Sequence, residues 1–182
     1  MGLILASGSP QRRQLLKKLR RPFRVVASGV SETSAEKNPR KLVRLLAKRK
    51  ALAVAREHPR DVVLGADTVV SCAGKILGKP RDAAHALRIL KLLNGRWQRV
   101  YTGIAVARDG GERLLIDAVV SRVKARRLPD EELARFAGKH LDKAGAYAVQ
   151  DVDDPFIERV DGPFDNVIGL PVDAVRRLLR RL

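Results

Sequence analysis

The sequence predicts an α/β fold, a single domain whose mixed sheet is flanked by helices. Three observations point there. Short apolar runs alternate with amphipathic helical stretches, hairpin signals are interspersed with helical crossovers, and no internal repeat or Pro/Gly/Ser linker divides the chain. At 182 residues the chain suits one domain, 1–182. A domain of that size buries roughly 70% of its unfolded surface, enough for a core without staples.

Leu3 to Ala6 reads as a short buried strand that runs into a helix from Pro10 to about Leu19. Phe23 to Ala27 follows as a strand, and Pro39 opens a long helix to about Glu57. Val62 to Cys72 reads as one or two buried strands ending in an Ala73-Gly74 turn. A helix from about Asp82 to Leu93 stops at Asn94-Gly95. Arg99 to Ala107 and Leu114 to Lys124 flank Asp109-Gly110-Gly111, a hairpin signal. A short helix is expected after Pro129, strands near Tyr147 and Ile157, and a terminal helix opened by Pro171.

Composition narrows the function classes. Cys72 is the one cysteine, which excludes an internal disulfide or a zinc cluster built on cysteine pairs; it reads as a core filler. His58, His85 and His140 match no metal-ligand spacing. No stretch approaches the ~18 apolar residues of a membrane span, and no signal peptide is visible, so a cytoplasmic location and no membrane partner are expected. The formal charge of +17 attracts polyanions or phosphorylated small molecules. Its arginines are spread along the chain, with dense basic stretches only at Lys17–Arg21 and Arg176–Arg181.

Four features carry candidate chemistry. In Leu5-Ala6-Ser7-Gly8-Ser9-Pro10-Gln11-Arg12-Arg13, Ser9 is a good N-cap and Pro10 a good first helical residue. The strand therefore meets a helix N-terminus, where an anion is stabilised; Gly8 allows close approach and Ser7 adds a hydroxyl. Arg12 precedes Leu15, Leu16 and Leu19 at helical spacing and so projects toward the protein. Asp67 stands in the apolar run Val62–Val70, at what reads as the C-terminal end of its strand, and its carboxylate needs a cation, a partner or a pocket. Lys50 falls on the apolar stripe Leu42, Leu45, Leu46 and Ala53, either snorkelling to water or held beside an anion. Gly78-Lys79-Pro80 places Lys79 at a helix entrance. Together these make a phosphate-handling site that is not a Walker loop, since Gly-x-x-x-x-Gly-Lys-Ser/Thr is absent.

These residues resemble the Maf family of nucleotide pyrophosphatases, with an inosine-triphosphatase-like fold. The resemblance runs in order through Leu5–Pro10 with Arg12, Glu32, Ala47 with Lys50-Ala51, Gly65–Val70, Gly78-Lys79-Pro80 and Tyr101-Thr102-Gly103. It continues through Asp142–Tyr147 with Gln150, and Asn166-Val167 with Gly169-Leu170-Pro171. It implies attack of water on the α-phosphorus of a nucleoside triphosphate, releasing pyrophosphate and the monophosphate with a divalent cation (Mg, Mn or Co) as cofactor. In that reading Asp67 is the proton acceptor, with Glu32 a second acid, both being candidate metal ligands. Lys50 and Lys79 join them as catalytic cations. Ser7, Gln11, Arg12, Arg13, Thr68 and Gln150 are expected to bind substrate.

Tyr147 and Gln150 are similar to the subgroup acting on dTTP and UTP, whereas Gln11 stands where that subgroup usually has an arginine. The alternatives left open are a pyrophosphatase for 7-methyl-GTP or another modified nucleotide, and a polyanion-binding, division-associated protein. Nucleic acid is disfavoured as a partner because aromatics are only 4% of the chain and no nucleic-acid motif is present. The resemblance leaves a homodimer open.

Overall fold

The computed structural model describes residues 1–149 and 156–182. Their order is β1 (Leu3–Leu5), α1 (Pro10–Leu16), β2 (Phe23–Val25), α2 (Pro39–Glu57), β3 (Val62–Cys72), β4 (Lys75–Leu77) and α3 (Ala83–Leu93). Then come β5 (Trp97–Arg108), β6 (Arg113–Ala125), α4 (Asp130–Phe136), β7 (Ile157–Asp161), α5 (Phe164–Ile168) and α6 (Val172–Arg181). The strands form a mixed sheet in the order β2-β1-β3-β5-β6-β7, with β4 paired to β3. The α/β class and the mixed sheet match the expectation from sequence.

The chain divides into two compact units. The first comprises Met1–Asp67, Thr102–Val119 and Gly169–Leu182. Within it β1 lies parallel to both β2 and β3, in the register Leu3–Val62, Ile4–Val63 and Leu5–Leu64. Ile4, Ala6, Val63, Ala105 and Ala107 pack against Ala47, Ala51, Val54 and Ala55 of α2. The second unit comprises Thr68–Tyr101 and Val120–Ile168, with α3 and α4 packed together over Val70, Val100, Val123 and Phe156.

Local chemistry accounts for the helix starts. The Ser9 hydroxyl caps α1 by accepting from Arg12 N, with Pro10 in the first position. Asn38 Oδ1 accepts from both Arg40 N and Lys41 N to cap α2, again with proline following. Asp82 caps α3 by accepting from His85 N at 2.6 Å.

Several expectations need correction. The first helix ends at Leu16 rather than Leu19; residues 17–19 tighten into a 3₁₀ turn, and Arg20 closes it with φ 53°. Among the described residues around Tyr147 no strand forms. Gly145 and Ala146 both have positive φ, 82° and 62°, which is incompatible with extended backbone, and Tyr147 instead fills the core. Asp67 is not at a strand end, because β3 continues to Cys72. The strand end that matters is that of β1, whose pairing with β3 stops at Leu5–Leu64, followed only by the bond from Ala6 N to the Leu64 carbonyl. The buried face of α2 is Val43, Leu46, Ala47, Lys50, Ala51, Val54 and Ala55, so the stripe is rotated toward its small residues. Leu42, Leu45 and Ala53 sit at its flanks, half-buried. Helix α5 had no signal in the sequence reading.

Candidate active site

The site is built where β1 ends, β3 continues and α2 crosses over them. The crossing is close because the sheet lacks side chains at two points. A Cβ on Gly65 would lie 2.7 Å from Ala51 N and nearer still to the Ala47 carbonyl oxygen. One on Gly103 would lie 2.8 Å from Arg44 N and would collide with the Val43 carbonyl. Two bare glycines therefore let the α2 backbone rest on the sheet. The small residues of the helix, rather than its leucines, meet them.

That approach carries Lys50 to Asp67, two residues beyond Gly65. Lys50 Nζ donates to Asp67 Oδ1 and to Glu32 Oε1, both at 2.6 Å. The side chains of Lys50 and Asp67 are only 7% and 8% exposed, whereas that of Glu32 is 52% exposed. A buried lysine between two carboxylates is the sharper of the two readings of Lys50. Of its three N–H donors two are used, which leaves one for an incoming oxygen.

Burial pushes the Asp67 carboxyl above its ordinary value of 3.8, and the charge of Glu32 adds to the rise. Lys50 and Arg12 oppose it without overcoming it. Burial likewise lowers Arg12, opposed by the charges of Asp67 and Glu32. Arg12 still carries its guanidinium charge at any working pH.

Arg12 turns inward from α1, as its spacing predicted. Its Nε donates to the Gly169 carbonyl at 3.0 Å and its Nη1 to Ser7 Oγ at 3.3 Å. Ser7 is buried, and its Oγ also accepts from Ser9 N at 3.2 Å. With both lone pairs occupied, the remaining capacity of that hydroxyl is its own hydrogen, which suits a phosphate oxygen. Gln11 is tied to the same corner: Ser9 Oγ donates to Gln11 Oε1 at 2.9 Å. A Cβ on Gly8 would meet nothing within 4 Å, so the corner is open on that side.

Ser7, Gln11, Arg12, Glu32, Lys50 and Asp67 thus belong to one unit, and the last three are in direct contact. Arg13 is exposed and lines a groove of about 440 Å³ with Ser7, Gly8, Ser9 and Pro10. Thr68, half-buried, follows Asp67 along β3, and Lys79 is exposed after β4; both are in the second unit. Gln150 lies outside the described residues. Among the described residues no three His, Cys, Asp or Glu side chains cluster as a metal site, so Asp67 and Glu32 stand as a two-carboxylate pair.

Four residues have roles that the sequence alone did not assign, although Gly65, Gly103 and Gly169 stand in the blocks of the resemblance. The Gly169 carbonyl orients Arg12, and backbone acceptors leave no side-chain signature. Arg49, one residue from Lys50, donates to the Thr33 carbonyl at 2.9 Å, so successive residues of α2 hold successive residues of the loop, Thr33 and Glu32. Gly65 and Gly103 set the height of α2, a role that depends on a non-local approach.

A sequence model described as Maf-like protein matches residues 2–182. A protein of Elusimicrobium minutum named dTTP/UTP pyrophosphatase is 46% identical over 99% of this chain and 98% of its own length. One of Deinococcus radiodurans with the same name is 45% identical over 98% of this chain and 91% of its own length. Among solved structures, the Staphylococcus aureus Ham1 protein aligns with TM-score 0.54 at 11% identity, over 100% of this chain and 99% of that one. A nucleoside-triphosphatase, dITP/XTP pyrophosphatase, from Mycobacterium abscessus aligns with TM-score 0.51 at 16% identity, over 100% of this chain and 96% of that one. At those identities the two structures bear on the fold alone, and the fold they share with this chain is the inosine-triphosphatase-like one.

Proposed function

Because the chain belongs to the Maf-like family, we propose that it is a nucleoside triphosphate pyrophosphatase that hydrolyses dTTP and UTP to the monophosphate and pyrophosphate. The observation that carries this reading is the buried Lys50 bridging Asp67 and Glu32 at 2.6 Å, in the same unit as the Ser7–Arg12 corner. Asp67 supplies the base. Its Oδ1 is held by Lys50, which fixes the carboxylate and leaves Oδ2 to take a proton from water. Lys50, Arg12 and the Ser7 hydroxyl present donors to phosphate oxygens as negative charge builds in the transition state. The family resemblance adds Lys79 and Arg13 as further cations for the phosphate chain, and Thr68 and Gln150 as substrate-binding residues.

The donor set fits a divalent cation. Two carboxylates with hard oxygens, completed by substrate phosphates and water, are the usual holders of magnesium at phosphate-transfer sites. Asp67 and Glu32 would hold it, and when bound it supplies charge neutralisation and Lewis acidity at the phosphates. A location in the cytoplasm agrees with such a substrate, and no helix among the described residues is long and apolar enough to cross a membrane.

The products test the bond that is broken. Separation of the products from UTP by ion exchange is expected to show UMP and pyrophosphate. Accumulation of UDP and orthophosphate would overturn the assignment.

The base is tested at Gln11. Ser9 holds its amide oxygen, so the side chain enters the corner as an oriented amide in place of an arginine. An amide accepts as well as donates, which widens the range of base edges it can meet. In a kcat/KM panel we expect dTTP and UTP among the best substrates, with CTP less strongly disfavoured by wild type than by Gln11→Arg. Lost polar contacts change such ratios by orders of magnitude. A preference for 7-methyl-GTP over both pyrimidine nucleotides sinks the subgroup assignment, and identical ratios in the two proteins mean that residue 11 does not read the base.

A further inference from the structure

The two dense basic stretches, at opposite ends of the chain, fold onto one surface. Helix α6 packs on the 3₁₀ turn at Lys17–Leu19, and Arg176 Nη2 reaches the Lys18 carbonyl at 3.4 Å. Arg177, Arg180 and Arg181 remain exposed on α6. Beside this turn runs a groove of about 520 Å³ whose lining holds four cations, Arg13, Lys17, Arg20 and Arg21, and no acid. The rest of its lining is apolar: Pro22, Phe23 and Val25, the last 42% exposed on the edge strand β2. The groove shares Arg13, Lys17 and Val25 with the smaller one at Ser7–Pro10.

Arg20 adds an independent sign. It has φ 53° and ψ 36°, the left-handed conformation that follows a helix and that glycine fills without strain. An exposed arginine stands there in the groove's lining, and a local rule broken on the surface points to a use for the side chain.

We propose that this groove binds single-stranded nucleic acid, with phosphates along the four cations and a base against Phe23. A lining that combines four cations with apolar side chains, one of them aromatic, matches a polymer with both charged and flat apolar parts. An inorganic polyphosphate has no surface to offer the apolar side chains. The proposal reverses the expectation drawn from the low aromatic content, because a single well-placed ring is sufficient for one stacked base. Arg13 is shared with the pyrophosphatase reading, and Lys17, Arg20, Arg21 and Phe23, which lie outside the proposed catalytic set, are the positions that separate the two.

The test is fluorescence anisotropy of a labelled 20-nucleotide poly-U RNA with the full-length protein across a salt series. Four neutralised phosphates on a single strand give a slope of log K against log salt of about −3. The Arg20→Asn/Arg21→Gln double variant is expected to bring it to about −1.5, and Lys17→Gln alone to weaken it by about 0.7. Phe23→Leu is expected to weaken binding at least about fivefold with the slope unchanged, as removal of a stacking surface should. UTP hydrolysis should be retained by all of these variants. The proposal falls if the slope is the same in wild type, the double variant and Lys17→Gln. It falls equally if Phe23→Leu binds like wild type, if polyphosphate of equal charge displaces the RNA more effectively than unlabelled RNA, or if the protein prefers phosphatidylserine vesicles to the RNA.

Discussion

Asp67→Asn is expected to lower turnover of UTP by at least about 10²-fold, the lower range for removing a general base, while the protein stays folded. The amide keeps the volume of the carboxylate but has neither its basicity nor its charge. Lys50 retains Glu32 as a partner at 2.6 Å, so the substitution does not strand a buried cation. Stability supplies a second readout, with a sign fixed by burial. The carboxyl of Asp67 is raised in the folded protein above its ordinary 3.8, so folding favours the protonated form. The stabilisation linked to that proton is fully present below about 3.8 and is lost as pH rises through the folded value. At neutral pH the ionised carboxylate is therefore a net cost to the metal-free protein. The asparagine variant should melt no lower than wild type at pH 7, and the difference should close on acidification. Turnover near that of wild type would remove Asp67 from the mechanism. A collapsed transition at neutral pH would make it a structural residue.

What the sequence made legible was what local rules determine. Ser9-Pro10 and Pro39 announced helix starts because a cap and a fixed φ act within a few residues. Asp67 announced itself because an acid in an apolar strand has to be accounted for. The spacing of Arg12 from Leu15 and Leu16 gave its inward direction, since position on a helix is a matter of period alone. Lys50 was half legible: its burial followed from periodicity, yet the stripe was drawn through the leucines. The true face runs through Val43, Ala47 and Ala51, and that choice is made by the sheet and not by the helix. Glu32 had no local signal at all. It stands in the stretch 26–38, which has neither helix nor strand and is held by short side-chain turns such as Thr33 N to Ser31 Oγ and Glu36 N to Ser34 Oγ. Only the ordered blocks of the family resemblance reached it. The strand expected at Tyr147 failed for a related reason, because its apolar run belongs to a core-filling turn whose two left-handed residues no alternation pattern reveals.

Gly103→Ala is expected to be the most damaging single methyl group in the protein, although residue 103 touches neither carboxylate. Its added Cβ meets backbone atoms of α2 at Val43 and Arg44, and backbone cannot rotate out of the way as a side-chain tip can. Either the helix lifts or β5 is pushed back. The cost should sit at the top of the overpacking range, about 3 kcal/mol, read as a lower urea midpoint. Activity should fall further than the loss of folded protein explains. Lys50 lies two helical turns along the same rigid helix, and a displacement of about 1 Å is enough to cost roughly 10²-fold where groups must be aligned. The comparison that isolates this effect is Gly8→Ala, whose Cβ would meet nothing within 4 Å and which should leave the midpoint nearly unchanged. If Gly103→Ala retains both its midpoint and its turnover per folded molecule, the height of α2 is not set at residue 103. Gly65, directly beneath Ala47 and Ala51, would then be the single contact that brings Lys50 down to Asp67.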